Sequence, residues 1–223
     1  MSTHVRVLKD DPFSNLEDGL QFRLTYQGLL LAENNRGAIT NARADHKQMI
    51  RKAFHRQLKR LWSISPFLSL SEQPNSHKVG WPNVAKTSVP ALANRFARNG
   101  YNFVPLITRD LNVSCEVSVL FLRNDPPGSV IKSGDIDNRL KTLFDALTMP
   151  SDGAQLGKFT TPDEDEIPFF CLLEDDCLIT KASVESDTML EPVNIDDPSN
   201  SARVIVTIRT GLLRVSSDNI GFL

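Results

Sequence analysis

The chain is poor in cysteine: three in 223 residues (Cys115, Cys171, Cys177) and no C-x-x-C pair. That number excludes a disulfide framework and fits a reducing, cytoplasmic setting. No apolar run approaches the ~18 residues that a bilayer-spanning helix needs. The opening MSTHVRVLKDD lacks the apolar centre of a secretory signal. A soluble protein away from membranes is therefore expected. A charge surplus is missing too, with 25 Lys and Arg against 27 Asp and Glu, so the chain as a whole carries no basic footprint for a polyanion. Walker-type lysine loops, G-x-S-x-G, H-E-x-x-H and any His/Cys pattern for zinc are absent. Internal repeats and low-complexity tracts are absent as well.

What charge there is lies segregated. Residues 46–60 (HKQMIRKAFHRQLKR) hold six Lys/Arg and no acid, whereas residues 152–187 hold ten Asp/Glu against Lys158 and Lys181. A length of 223 residues can bury a core without staples. The expected organisation is a loose arm over 1–19, one domain over 20–211 with insertions at about 63–100 and 150–168, and a tail over 212–223.

Alternation of Phe22, Leu24 and Tyr26 with polar residues predicts a first strand over 20–32. Apolar residues at Met49/Ile50, Ala53/Phe54, Leu58 and Leu61/Trp62 predict a helix from about 43 to 62, with most of its cations off the apolar stripe. Residues 63–90 contain four prolines and read as a long loop. A short helix over 89–100, ended by Gly100, follows, then strands over 101–107 and 111–124. A second helix is expected over 135–147, a strand over 178–186, and a closing strand over 202–210. Strands outnumber helices and do not alternate with them, so the expected class is α+β, a mixed β-sheet with two main helices.

Chemistry concentrates in two places. Gly134-Asp-Ile-Asp-Asn-Arg-Leu-Lys opens the second helix, where Asp135 and Asp137 meet unpaired backbone N–H groups and Lys141 stands one turn beyond Asp137. Leu173-Glu-Asp-Asp sits at the expected entry to a buried strand. Three successive acids repel one another unless something positive binds, and Mg²⁺ suits carboxylate oxygens. Acids, Mg²⁺ and a lysine together suit phosphoryl transfer. Arg51, Lys52, Arg56, Lys59 and Arg60 are candidate duplex contacts. Five neutralised phosphates would give a steep log–log salt slope, about −4 to −4.5. Lys132 and Arg139, beside the acids, are further candidates. Trp62, Phe67, Trp81 and Tyr101 are read as core or lid packing rather than base-stacking platforms, and Cys171 and Cys177 as buried small hydrophobes.

The run Asp135-Ile-Asp-Asn-Arg-Leu-Lys-Thr-Leu-Phe-Asp-Ala-Leu, followed further on by Leu-Glu-Asp-Asp-Cys-Leu-Ile, resembles the RusA family of Holliday junction resolvases. The resemblance implies a RusA-like core and a metal site of Asp135, Asp137 and Asp176, with Asp175 accompanying them. It implies Lys141 as the catalytic lysine, and Mg²⁺ as the cofactor, with Mn²⁺ able to substitute. Resolving a four-way junction needs paired nicks, which implies a homodimer. Compared with the family, this chain is longer, less basic, and carries an acidic spacer, Asp163-Glu-Asp-Glu. Two other readings stay open: a flap or structure-nonspecific nuclease with the same carboxylates, and a non-catalytic DNA- or protein-binding module.

Overall fold

A computed structural model gives the fold, describing residues 19–31, 40–64, 88–124, 136–191, 201–214 and 219. The elements in chain order are β1 (Gln21–Leu29), α1 (Thr40–Ile64), α2 (Val89–Arg95), β2 (Ala97–Arg98), β3 (Tyr101–Ile107) and β4 (Val113–Arg123). Then come α3 (Ile136–Leu147), β5 (Phe169–Leu173), β6 (Ile179–Thr188) and β7 (Ser201–Leu212). Four strands form a mixed sheet in the order β1-β7-β4-β6, and a second sheet has the order β2-β3-β5. The class is α+β. Among the described residues no helix is long and apolar enough to cross a membrane.

Residue pattern accounts for most of these elements. In β4, Val113, Cys115, Val117, Val119 and Phe121 are buried while Glu116 and Ser118 face out, the period-2 alternation of a half-covered sheet. β7, read as the closing strand, lies inside its sheet, antiparallel to both β1 and β4. Helix α1 packs on α3, β5 and β1 through Ile50, Phe54, Leu58, Leu61 and Trp62. Trp62 and Tyr101 are buried, which bears out their reading as core; Phe67 and Trp81 lie outside the described residues. Truncating a fully buried Trp costs about 3–5 kcal/mol.

Several boundaries differ from expectation. The helix after the long loop ends at Arg95 rather than at Gly100. Asn99 and Gly100 instead form the β2–β3 turn, with φ of 52° and 81°. β5, to which the sequence reading assigns no strand, is buried along its whole length and runs parallel to β3. β6, expected to be buried, is an edge strand exposed over most of its length. The acidic triplet therefore marks the exit of a buried strand, not the entry to one. The 150–168 insertion is ordered by two short 3₁₀ helices, Gly153–Leu156 and Glu164–Glu166, and the first packs on α1. Gly157 has φ of 60°, and a Cβ there would stand 2.1 Å from Asp45 Oδ1, so the close approach to α1 requires glycine.

Candidate functional site

The first turns of α3 are tied to the chain just past β1. Arg139 Nη1 donates to Leu30 O at 2.9 Å, and the Thr142 hydroxyl donates to Leu31 O at 3.1 Å. Arg139, Thr142, Leu143 and Ala146 face inward. Asp137 and Lys141, four residues apart, are left exposed on the opposite side. Arg139 is 4% exposed and spent on a carbonyl, which corrects its expected role as a DNA contact. Asp135 and Lys132 lie outside the described residues.

At the exit of β5, Glu174 Oε2 accepts from Arg109 N at 2.9 Å. Asp175 Oδ1 accepts from Cys177 N at 3.0 Å, capping the 3₁₀ turn Asp176–Leu178, while Oδ2 accepts from Arg109 Nη2 at 2.9 Å. The Arg109 guanidinium is thus a positive partner for Asp175, while backbone N–H groups bind Glu174 and Asp175. Asp175 is held below the usual carboxylate range by the Cys177 N–H first, then by the Cys177 thiol and Arg109. Asp176 is exposed. Cys177 is also exposed, with Sγ 3.0 Å from Arg109 Nη2, and so is not the buried residue expected; Cys115 and Cys171 are buried. Arg109 escaped the sequence reading because a lone arginine in a turn carries no pattern.

The two groups of acids do not converge within one chain. Ile179, just past Asp176, is opposite Cys115 at the start of β4. Arg123, at the other end of β4, is opposite Ala202, and Leu29 is opposite Ser201. Leu30 and Leu31, which anchor the start of α3, therefore lie at the far end of the sheet, ~25 Å along the strands. Among the described residues, no group of three or more His, Cys, Asp or Glu side chains is placed to hold a metal. Asp137, Asp175 and Asp176 of one chain do not form the expected common site.

On α1, Arg51 is 2% exposed. Its Nε donates to Thr148 O (3.1 Å), Nη1 to Gln155 O (3.0 Å) and Nη2 to Asp145 O (2.8 Å). Burial pulls its pKa down to about 10, so it stays charged at neutral pH and bonds α1 to the end of α3. Lys52 pairs with Asp163 at 2.8 Å and Glu166 at 2.9 Å; burial alone would lower its pKa, and the two carboxylates raise it instead. Neither is available to a phosphate, which corrects both expectations. The acidic spacer, rather than repelling DNA, neutralises part of its own basic helix.

Arg56, Lys59 and Arg60 remain exposed. With Ser63 they form the polar side of a cleft of about 560 Å³, floored by Val89, Pro90, Pro168 and Phe170. Lys59 Nζ reaches Asp165 O at 2.6 Å. Beneath the cleft, His55 is 1% exposed. Its Nδ1 accepts from Phe170 N at 2.8 Å, and its Nε2 lies 3.2 Å from Asp165 O. Those partners fix the neutral Nε2–H tautomer. Two guanidiniums and an ammonium over an apolar floor can hold a phosphate with a flat, weakly polar group behind it.

No family model, curated protein or solved structure matches this chain.

Proposed function

We propose that this protein is a Mg²⁺-dependent endonuclease that nicks branched DNA, four-way junctions foremost, as a homodimer serving recombination or repair. The observation that carries the reading is the start of α3. Asp137 and Lys141 stand exposed one turn apart in the D-I-D-N-R-L-K run, while Arg139 and Thr142 anchor that turn. An ammonium at that point can stabilise charge developing on a phosphate oxygen. The cleft cations Arg56, Lys59 and Arg60 supply backbone contacts that fix register without reading sequence. Asp137 and Asp176 of one chain lie at opposite ends of the sheet, so the two acid sets of a single chain are not placed to share a metal.

That same separation favours a second reading, a non-catalytic DNA-binding module. A labelled four-way junction incubated with the protein, in Mg²⁺ or EDTA, beside Asp137→Asn and Lys141→Ala, separates the two. Nicks that require Mg²⁺ and fall ~10²–10³-fold in either variant are the expected result. Tight binding without cutting, unchanged in both variants, would establish the module instead.

A further inference from the structure

Among the described residues β6 is the outer strand of its sheet, and of its ten residues (ITKASVESDT) the eight from Thr180 through Asp187 are open on both faces. Its neighbour β4 is covered on one face. Val119 is 2% exposed, whereas Val184, paired beside it, is 37% exposed. The layer that covers the core face of β4 therefore stops one strand short of the edge. On the other face lie Lys181, Ser183, Glu185 and Asp187. Lys181 is only 3.8 Å from Glu116, and among the described residues Glu185 has no partner. A long edge strand is a template for another strand.

We propose that the occupant of this edge is β6 of a second copy of the chain, paired antiparallel about a two-fold axis at Ser183. Successive residues point to opposite faces, so a two-fold through a residue keeps each face continuous. Centred on Ser183, Lys181 falls opposite the partner's Glu185 and Glu185 opposite the partner's Lys181. Two ion pairs form on one face, and Val184 meets Ala182 on the other. Centring on Val184 would use Asp187, which already accepts from Thr188 N at 2.7 Å; centring on Glu185 would set that residue against itself. The joined sheet has eight strands and a self-complementary seam, as a two-fold interface must. Antiparallel pairing also inverts one copy relative to the other. The 174–176 acids of one chain and the α3 start of the other then share one end of the sheet.

The test is self-association of the full chain without DNA, so that its outcome is independent of the nuclease reading. Sedimentation of the wild type, Lys181→Glu, Glu185→Lys and the double variant is compared, with circular dichroism to show that all are folded. The expected result is a wild-type dimer, ~10- to 100-fold weaker association in each single variant, and recovery in the double, because opposed like charges become opposed unlike charges again. In a Cys177→Ser background, Ser183→Cys should oxidise to a covalent dimer, since a self-opposed strand residue has the Cα spacing of a disulfide, whereas Glu185→Cys should not. A wild-type monomer at all concentrations, single variants that associate as tightly as wild type, or cross-linking at 185 in place of 183 would each overturn the proposal.

Discussion

Arg51 and Arg56 stand on the same helix, within the same basic run, and do opposite work. Arg51 spans three carbonyls from Asp145, Thr148 and Gln155, a geometry that only a planar fork with several donors satisfies. Lysine keeps the charge but cannot reach all three, leaving buried carbonyls without donors at a cost of about 3 kcal/mol. Arg51→Lys should therefore lower the thermal midpoint by ~6–12 °C when unfolding is followed by circular dichroism. Arg56→Ala removes a solvated side chain and should leave the midpoint within ~2 °C while weakening DNA binding. Equal midpoints for the two variants would mean that the Arg51 network contributes nothing. The difference was not legible in the sequence, because both arginines fit one amphipathic period. The carbonyls that claim Arg51 come from residues 94 to 104 positions away. Asp137 and Lys141 were legible as a pair, since their i,i+4 spacing fixes their common side whatever packs behind them.

At the scale of elements, the acidic insertion is a clasp on α1. Its Asp163 and Glu166 hold Lys52, while the Asp165 carbonyl meets His55 and Lys59. His55, ringed by Glu166, Asp165 and Lys59, has its pKa lowered below 6.5, by burial first. The folded state then binds fewer protons than the unfolded chain, so stability rises with pH. His55 contributes fully above about 6.5 and its contribution erodes as pH falls from there toward the lower folded value. Urea midpoints should drop between pH 7.5 and pH 5, and less steeply in His55→Gln, whose amide does not titrate. His46, lowered in the same direction by burial, keeps part of the slope. An identical slope in His55→Gln would remove His55 from the account. Helix α3 and strand β4 could be read in advance because each shows one covered face and one clear period. β5 could not: five consecutive apolar residues have no period to detect. β6 misled in the other direction, because its apolar flanks Leu178 and Ile179 belong to the turn and the first residue, not to the exposed strand behind them.

Across the whole molecule, the near-neutral net charge conceals a self-neutralising arrangement. Two of the five α1 cations first assigned to DNA, Arg51 and Lys52, are consumed by packing and by the clasp, leaving Arg56, Lys59 and Arg60 at the cleft. Counterion release makes that count measurable, because each neutralised phosphate adds about −0.9 to the slope of log affinity against log salt. One chain presenting three cations should give about −2.7, against about −4.5 for all five. A two-fold dimer that lays both clefts on one junction should give about −5.4, with no new contact type. Titrating a fluorescent four-way junction over a range of salt, at protein concentrations below and above the self-association midpoint, reads both numbers in one protein. The slope should steepen from near −2.7 to near −5.4 as dimers form. Arg60→Ala should make the dimer slope shallower by about 1.8, twice the single-chain effect, because each dimer loses two contacts. A slope that is steep at every concentration and indifferent to Arg56 and Arg60 would place the DNA on some other surface. A slope fixed near −2.7 would mean that only one cleft engages a junction at a time, and the paired nicks expected of a resolvase would then have to come from two separate binding events.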